Sequence, residues 1–230
     1  MLLSRDQILK HLAQGTIVID PFDSRKLKTT SYDITLGEWF WREKAPAGRA
    51  TVHNLYDSAS TNAVWQGPFR AELARAVAKN LGNGEFANIS PDAPVILLAP
   101  GETILAHTQE FIGGRDICVA KMYARSSLGR NFVEVCKDAG WGDVGYFNRW
   151  TMEVTNNSQH YTIPLVVGRR IAQMVFYQVA PLQKAIDYVS EGGKYQRSQE
   201  LSQLKKTWVP EQMLPQMHLD WEVKELGISS

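Results

Sequence analysis

Asp138-Ala-Gly-Trp-Gly-Asp143-Val-Gly-Tyr146-Phe-Asn-Arg-Trp150-Thr-Met-Glu153-Val-Thr-Asn156 is the stretch whose reading organises the chain. Its second half alternates with a period of two. Trp150, Met152 and Val154 fall on one face and Thr151, Glu153 and Thr155 on the other, which predicts a strand with one apolar side. The glycines around Asp143 let a backbone turn tightly and approach a ligand, as in a hairpin. Tyr146 offers a flat wall that a sugar can pack on, and such a wall would discriminate against a bulky 2′-hydroxyl. Glu153 has two readings. It faces solvent, the common case in a strand, or it is a carboxylate held in a pocket. There, loss of water would raise its pKa from about 4.3 toward neutrality and make it a usable general base.

Working outward, short β-like runs recur at Val95–Leu98, Thr103–His107, Ile117–Lys121, Trp150–Thr155 and Ile171–Val179. Pro-Gly, Gly-Gly, Asn-Asn and Val-Gly breaks separate them, which argues an all-β barrel or jelly-roll-like body. Toward the start, Ser4 and Gln7 have capping-box spacing, Ile8, Leu9 and Leu12 form an apolar stripe, and Gly15 can close a short helix in a left-handed conformation. Thr16–Asp20 and Ser31–Leu36 alternate like short strands, punctuated by Pro21 and Gly37. From Arg42 to about Asp92 the pattern changes, with one helical stretch, Phe69 to Leu81, carrying Leu73, Val77 and Leu81. This reads as an insertion with two readings, a decorated surface loop with one helix, which is the commoner case, or a lid. The chain is thus expected to be one domain over 1–230, with an insertion at about 42–94 and a C-terminal flap and tail at about 182–230.

Composition narrows the chemistry. The 230 residues carry 25 Lys+Arg against 24 Asp+Glu, a net charge of +1, so no electrostatic footprint for a nucleic-acid polymer is present. The longest apolar run, Val95 to Pro100, is too short to cross a bilayer. Arg5, Asp6 and Lys10 do not suit a secretory leader, and two cysteines, Cys118 and Cys136, make no disulfide scaffold. A cytoplasmic protein is expected. Five scattered histidines, with no H-x-E, H-E-x-x-H or C-x-x-C, leave no zinc site of the usual kinds.

Three further constellations stand out. Ala124-Arg125-Ser126-Ser127-Leu128-Gly129-Arg130 offers two hydroxyls and two guanidiniums with no acidic side chain, which suits a phosphate; alone it reads equally as a solvated helix start. In Val167-Gly-Arg-Arg-Ile-Ala-Gln173-Met-Val-Phe176, Gln173 is a satisfied core amide or a reader of base or phosphate. Gly192-Gly-Lys194-Tyr-Gln196 has the composition of a flexible flap with a cation and a ring.

In this order the motifs resemble those of the dCTP deaminase and trimeric dUTPase family. Ser4-Arg-Asp-Gln-Ile8, Ile19-Asp-Pro-Phe22, Ser31-Tyr-Asp-Ile-Thr-Leu-Gly37 and Pro100-Gly-Glu-Thr-Ile-Leu-Ala-His-Thr-Gln-Glu110 extend the likeness, which covers roughly 1–41 and 95–200. The resemblance implies a mainly β, distorted jelly-roll (β-clip) subunit in a homotrimer with active sites between subunits. It implies a deoxycytidine nucleotide substrate whose triphosphate carries Mg²⁺, with no metal held by the protein itself, and zinc-free hydrolysis of dCTP to dUTP and ammonia. By resemblance Glu153 is the catalytic carboxylate, Ser126 orients the water and Arg130 offsets developing charge. Asp143 falls at the sugar, where dUTPases keep their general base. Arg125, Ser127, Gln173, Tyr188 and Lys194 fall on or near triphosphate positions, and Tyr146, Thr151 and Met152 complete the nucleotide-binding set. The chain departs from the pattern at Gly142, Asn148, Tyr123-Ala124 and Ser198. Two other readings are a dUTP pyrophosphatase or bifunctional enzyme giving dUMP, and a nucleotide-sensing protein without turnover.

Overall fold

The computed structural model describes residues 1–46, 48, 51–82, 84–182 and 186–225, so parts of the expected insertion and tail lie outside the described residues. The body is mainly β. Eight strands form one curled sheet, flanked by two three-stranded ones. Among the described residues no helix is long and apolar enough to cross a membrane.

The frame of the sheet is one long strand, Tyr32–Glu43. Its first half pairs with Arg170–Gln178 (Tyr32 opposite Met174), and its second half pairs with Thr103–Thr108 (Phe40 opposite Ala106). Between them the register slips, and the chain passes from one neighbour to the other. Gly37 sits at that slip. The sequence marks it as a break, yet the strand runs through it. A Cβ there would lie 2.0 Å from the His107 ring. Glycine is needed for close approach, not for a turn. His107 fills the irregularity: Trp39 N–H donates to its Nε2 at 3.2 Å, and its Nδ1 donates to the Thr108 carbonyl at 2.8 Å. The imidazole thereby satisfies a backbone donor that the ladder leaves over.

The N-terminal helix, Arg5–Gln14, forms as expected, with Ser4 N–H donating to Gln7 Oε1 at 3.0 Å and Gly15 at φ 76°. Its buried face is Ile8 with His11, whereas Leu9 is exposed. The 42–94 segment contains more order than one helix. Asp57 caps Ser58–Val64, Trp65–Arg70 adds a strand to Tyr32–Glu43, and Ala74–Asn80 buries Ala74, Val77 and Ala78. Phe69 thus belongs to a strand, where its ring lies 5.7 Å from that of Phe40. Tertiary pairing overrides the helical spacing of Phe69 and Leu73. The tail folds back: Leu204 packs with Val18, Phe111 and Phe147, and Trp41 Nε1 donates to the Pro210 carbonyl at 3.0 Å.

Candidate active site

Glu153 lies on the strand Thr151–Asn156, held between Thr103–Thr108 and Val133–Val135. Trp150, Met152 and Val154 enter the core, as the alternation predicts. Glu153 turns to the other face and is half-buried. Its Oε2 is sealed from water and has no hydrogen-bond partner. Desolvation raises its pKa above the usual carboxylate value, partly opposed by its own backbone N–H and by the Lys137 ammonium. The backbone of Cys136 closes over it, donating to the Glu153 carbonyl at 2.8 Å. Burial, then the Glu153 charge, pushes the Cys136 thiol up to about 12. Cys136, Lys137 and Asp138 have consecutive positive φ values of 71°, 36° and 64°. Non-glycine residues rarely adopt that region, so the turn is fixed against a backbone cost. Nothing in the Cys-Lys-Asp sequence announces this turn, and Cys136 and Lys137 are neighbours of Glu153 that spacing alone misses.

A second set assembles where the hairpin meets the flap. Gly145, at φ 89°, comes so close to the flap that a Cβ would lie 2.7 Å from that of Asp187. Gln196 is buried and clamps the two: its Nε2 donates to the Gly145 carbonyl at 2.7 Å, and its Oε1 accepts from Phe147 N–H at 2.8 Å. Asn148 adds a bond from Nδ2 to the Tyr195 carbonyl at 2.9 Å. A glycine there could not do this, so the departure at Asn148 closes the flap. Gly142 is likewise explained, because a Cβ would meet the Trp150 ring at 2.5 Å.

The Tyr146 ring stands 5.1 Å from Trp150 and 4.9 Å from Tyr188, and burial raises its phenol pKa. A cavity of about 670 Å³ opens between hairpin and flap, with Asp143, Val144, Tyr188 and Lys194 in its wall. Asp143 is exposed, and its Oδ1 accepts from Trp141 Nε1 at 2.9 Å. Lys194 pairs with Asp220 of the tail.

The Arg-Ser-Ser segment forms one helical turn, Ser126–Gly129, packed against Val133–Val135. Ser126, Ser127 and Arg130 are exposed, and among the described residues their side chains make no hydrogen bond within the chain. Arg125 turns the other way, its Nε 3.7 Å from the buried Asp33, whose other oxygen accepts from Arg170 Nη1 at 3.0 Å. Gln173 is half-buried between Asp33 and Tyr123 in the ladder. Thr151 is half-buried beside Glu153's face, while the Met152 side chain is fully in the core and offers a ligand only its backbone.

The site residues therefore fall into separate groups. Asp143, Tyr188 and Lys194 line one cavity, with the Tyr146 ring packed against Tyr188, Arg125 and Gln173 gather near Asp33, and Glu153 sits with Cys136 and Lys137. Among the described residues no three His, Cys, Asp or Glu side chains converge as metal ligands would. A carboxylate with an unpartnered oxygen can move a proton, and the cavity walled by Tyr188 offers Lys194 to an anionic group.

The chain is similar to known proteins. A family profile described as dCTP deaminase-like matches residues 2–179. A protein of Dictyoglomus thermophilum named "dCTP deaminase, dUMP-forming" is 31% identical over 197 residues, covering 85% of this chain and 89% of its own. One of the same name from Methanobrevibacter smithii is 27% identical over 226 residues, 97% of this chain and 99% of its own. The crystal structure of 2′-deoxycytidine 5′-triphosphate deaminase from Agrobacterium tumefaciens shares the fold with a TM-score of 0.50 and 16% identity. That match covers 76% of this chain and 47% of the other.

Proposed function

The chain belongs to the dCTP deaminase-like family, and from that premise we propose that it hydrolyses dCTP at C4 of the cytosine, releasing ammonia. The observation that carries the reading is the Glu153 carboxylate, with one oxygen sealed and unpartnered and a pKa raised by burial. Attack on C4 requires a water to lose a proton, N3 to gain one, and the amine to leave protonated. One carboxylate beside both base and water can carry all three transfers, and burial raises its pKa in the direction that a general base needs. Ser126 holds the attacking water, and Arg130 offsets the charge of the tetrahedral intermediate.

Ser126, Ser127 and Arg130 are exposed and unspent within their own chain, which supports a site completed by a neighbouring subunit in a homotrimer. Arg125, Ser127, Gln173, Tyr188 and Lys194 bind the triphosphate, which brings Mg²⁺ as part of the substrate. Tyr146, Thr151 and the Met152 backbone line the sugar and base. Glu153→Gln tests the scheme: ammonia release from dCTP with Mg²⁺ disappears, and a variant that stayed fully active would remove the mechanism.

A second reading concerns the product. Relatives are named as dUMP-forming, and Asp143 is an exposed carboxylate in the cavity wall. These favour further cleavage of dUTP to dUMP and pyrophosphate, with Asp143 activating a second water. Chromatographic separation of dUTP from dUMP decides it, and pyrophosphate absent from both nucleotides refutes it.

A further inference from the structure

The proposed base has one charged neighbour that this scheme does not use. Lys137 Nζ donates to Thr103 Oγ1 at 3.3 Å, and the Thr103 and Thr155 hydroxyls share a hydrogen bond of 2.7 Å. Thr103 lies opposite Thr155 in the ladder, and Leu105 opposite Glu153. Opposed residues, and residues two apart, share a sheet face. The Lys137 ammonium is therefore tethered at one corner of the face from which Glu153 projects.

The other titratable or charged groups on the surrounding elements do not compete. Glu134, opposite Thr155 on the other flanking strand, and Asp138 are exposed anions. The Cys136 thiol is neutral, and His107 on the Thr103–Thr108 strand is a neutral ring held by backbone bonds. Glu102, just before that strand, is paired with Arg42. Of these groups only Lys137 brings positive charge to Glu153. A desolvated carboxylate with one oxygen left unpartnered resists ionisation, yet a base must be ionised before it can take a proton from water. A fixed nearby cation reconciles the two demands.

We propose that Lys137 is a positioning residue for Glu153: tethered by Thr103, its ammonium is the counter-charge that keeps the sealed carboxylate ionised in the resting enzyme. This rests on the reading of Glu153 as the base, and the experiment separates the two. The pH profile of kcat/KM for dCTP is measured for the wild type, Lys137→Met, Lys137→Arg and Thr103→Val. In Lys137→Met the acidic limb moves upward by about half a pH unit, with the rate lost at low pH recovered at high pH. Lys137→Arg restores the limb, and Thr103→Val, which only frees the tether, moves it less in the same direction.

Carbon-13 carboxyl NMR of the unliganded protein, with Glu153 assigned by Glu153→Gln, reads the same shift without catalysis. An acidic limb and an NMR midpoint unmoved in Lys137→Met, while Glu153→Gln is inactive, overturn the inference and leave the base in place. A moved midpoint with Glu153→Gln still active keeps the Lys137–Glu153 coupling and overturns the base.

Discussion

At the scale of the residue, the site trades stability for chemistry at Glu153. Its folded pKa is raised, so the folded state holds a proton that the unfolded state has already released. Stability from this group is present at low pH and is lost as pH rises from the unfolded carboxylate value through the folded one. Glu153→Gln removes the buried charge while keeping the shape. The expected outcome is a kcat lower by about 10² to 10⁴-fold and, at pH 7, a melting temperature above that of the wild type. A variant both inactive and less stable would show the carboxylate to be structural. The alternation of residues 150–155 reveals which way Glu153 points. It does not reveal that Oε2 is sealed, nor that Cys136–Asp138 form a left-handed turn near it. Local spacing carries no information about that turn.

At the scale of the element, the long strand Tyr32–Glu43 depends on one imidazole. Burial lowers the His107 pKa from 6.5 to about 4. Below pH 6.5 the unfolded chain takes up a proton that the folded chain refuses until about pH 4, so stability falls on acidification across that window. The loss is roughly 3 kcal/mol at most, read as a falling melting temperature, and His107→Gln is expected to flatten that dependence. Gly37→Ala drives a methyl into the same ring and is expected to destabilise by about 2 kcal/mol or more in urea titration. The flap yields a different readout. Gln196→Leu leaves Phe147 N–H without its buried acceptor and loosens the clamp, so KM for the nucleotide is expected to rise roughly tenfold while ammonia is still released. The longer strands between 94 and 178 are legible in the sequence, whereas the short ones at Phe111–Gly114, Val133–Val135, Trp141–Gly142, Phe147–Asn148 and Ile163–Val166 are not, being set by pairing rather than by spacing. Gly37 misleads because close packing and turning ask for the same residue. Phe69 misleads because its strand exists only by pairing with Phe40.

At the scale of the whole molecule, the question is where the parts of the site meet. The cluster at the flap cavity is closed within one chain, through Gln196, Asn148 and Gly145. Glu153 and the Ser126–Arg130 turn are different: the strand of one and the helix of the other both lie against Val133–Val135, yet neither satisfies the other. The sequence motifs lie in order along the chain whether a site is formed by one copy or by several, so order alone cannot distinguish the two. A shared site makes a numerical prediction. Glu153→Gln and Arg130→Ala are each inactive alone. If each site takes its carboxylate from one protomer and its arginine from a neighbour, co-refolding the two variants in equal amounts regenerates intact pairs. The chance that the carboxylate donor is the Arg130→Ala chain is one half, and the chance that its neighbour is the Glu153→Gln chain is one half. About a quarter of wild-type ammonia release should therefore return for random closed assemblies. A site complete within one chain returns none, because every protomer in the mixture then carries one defect.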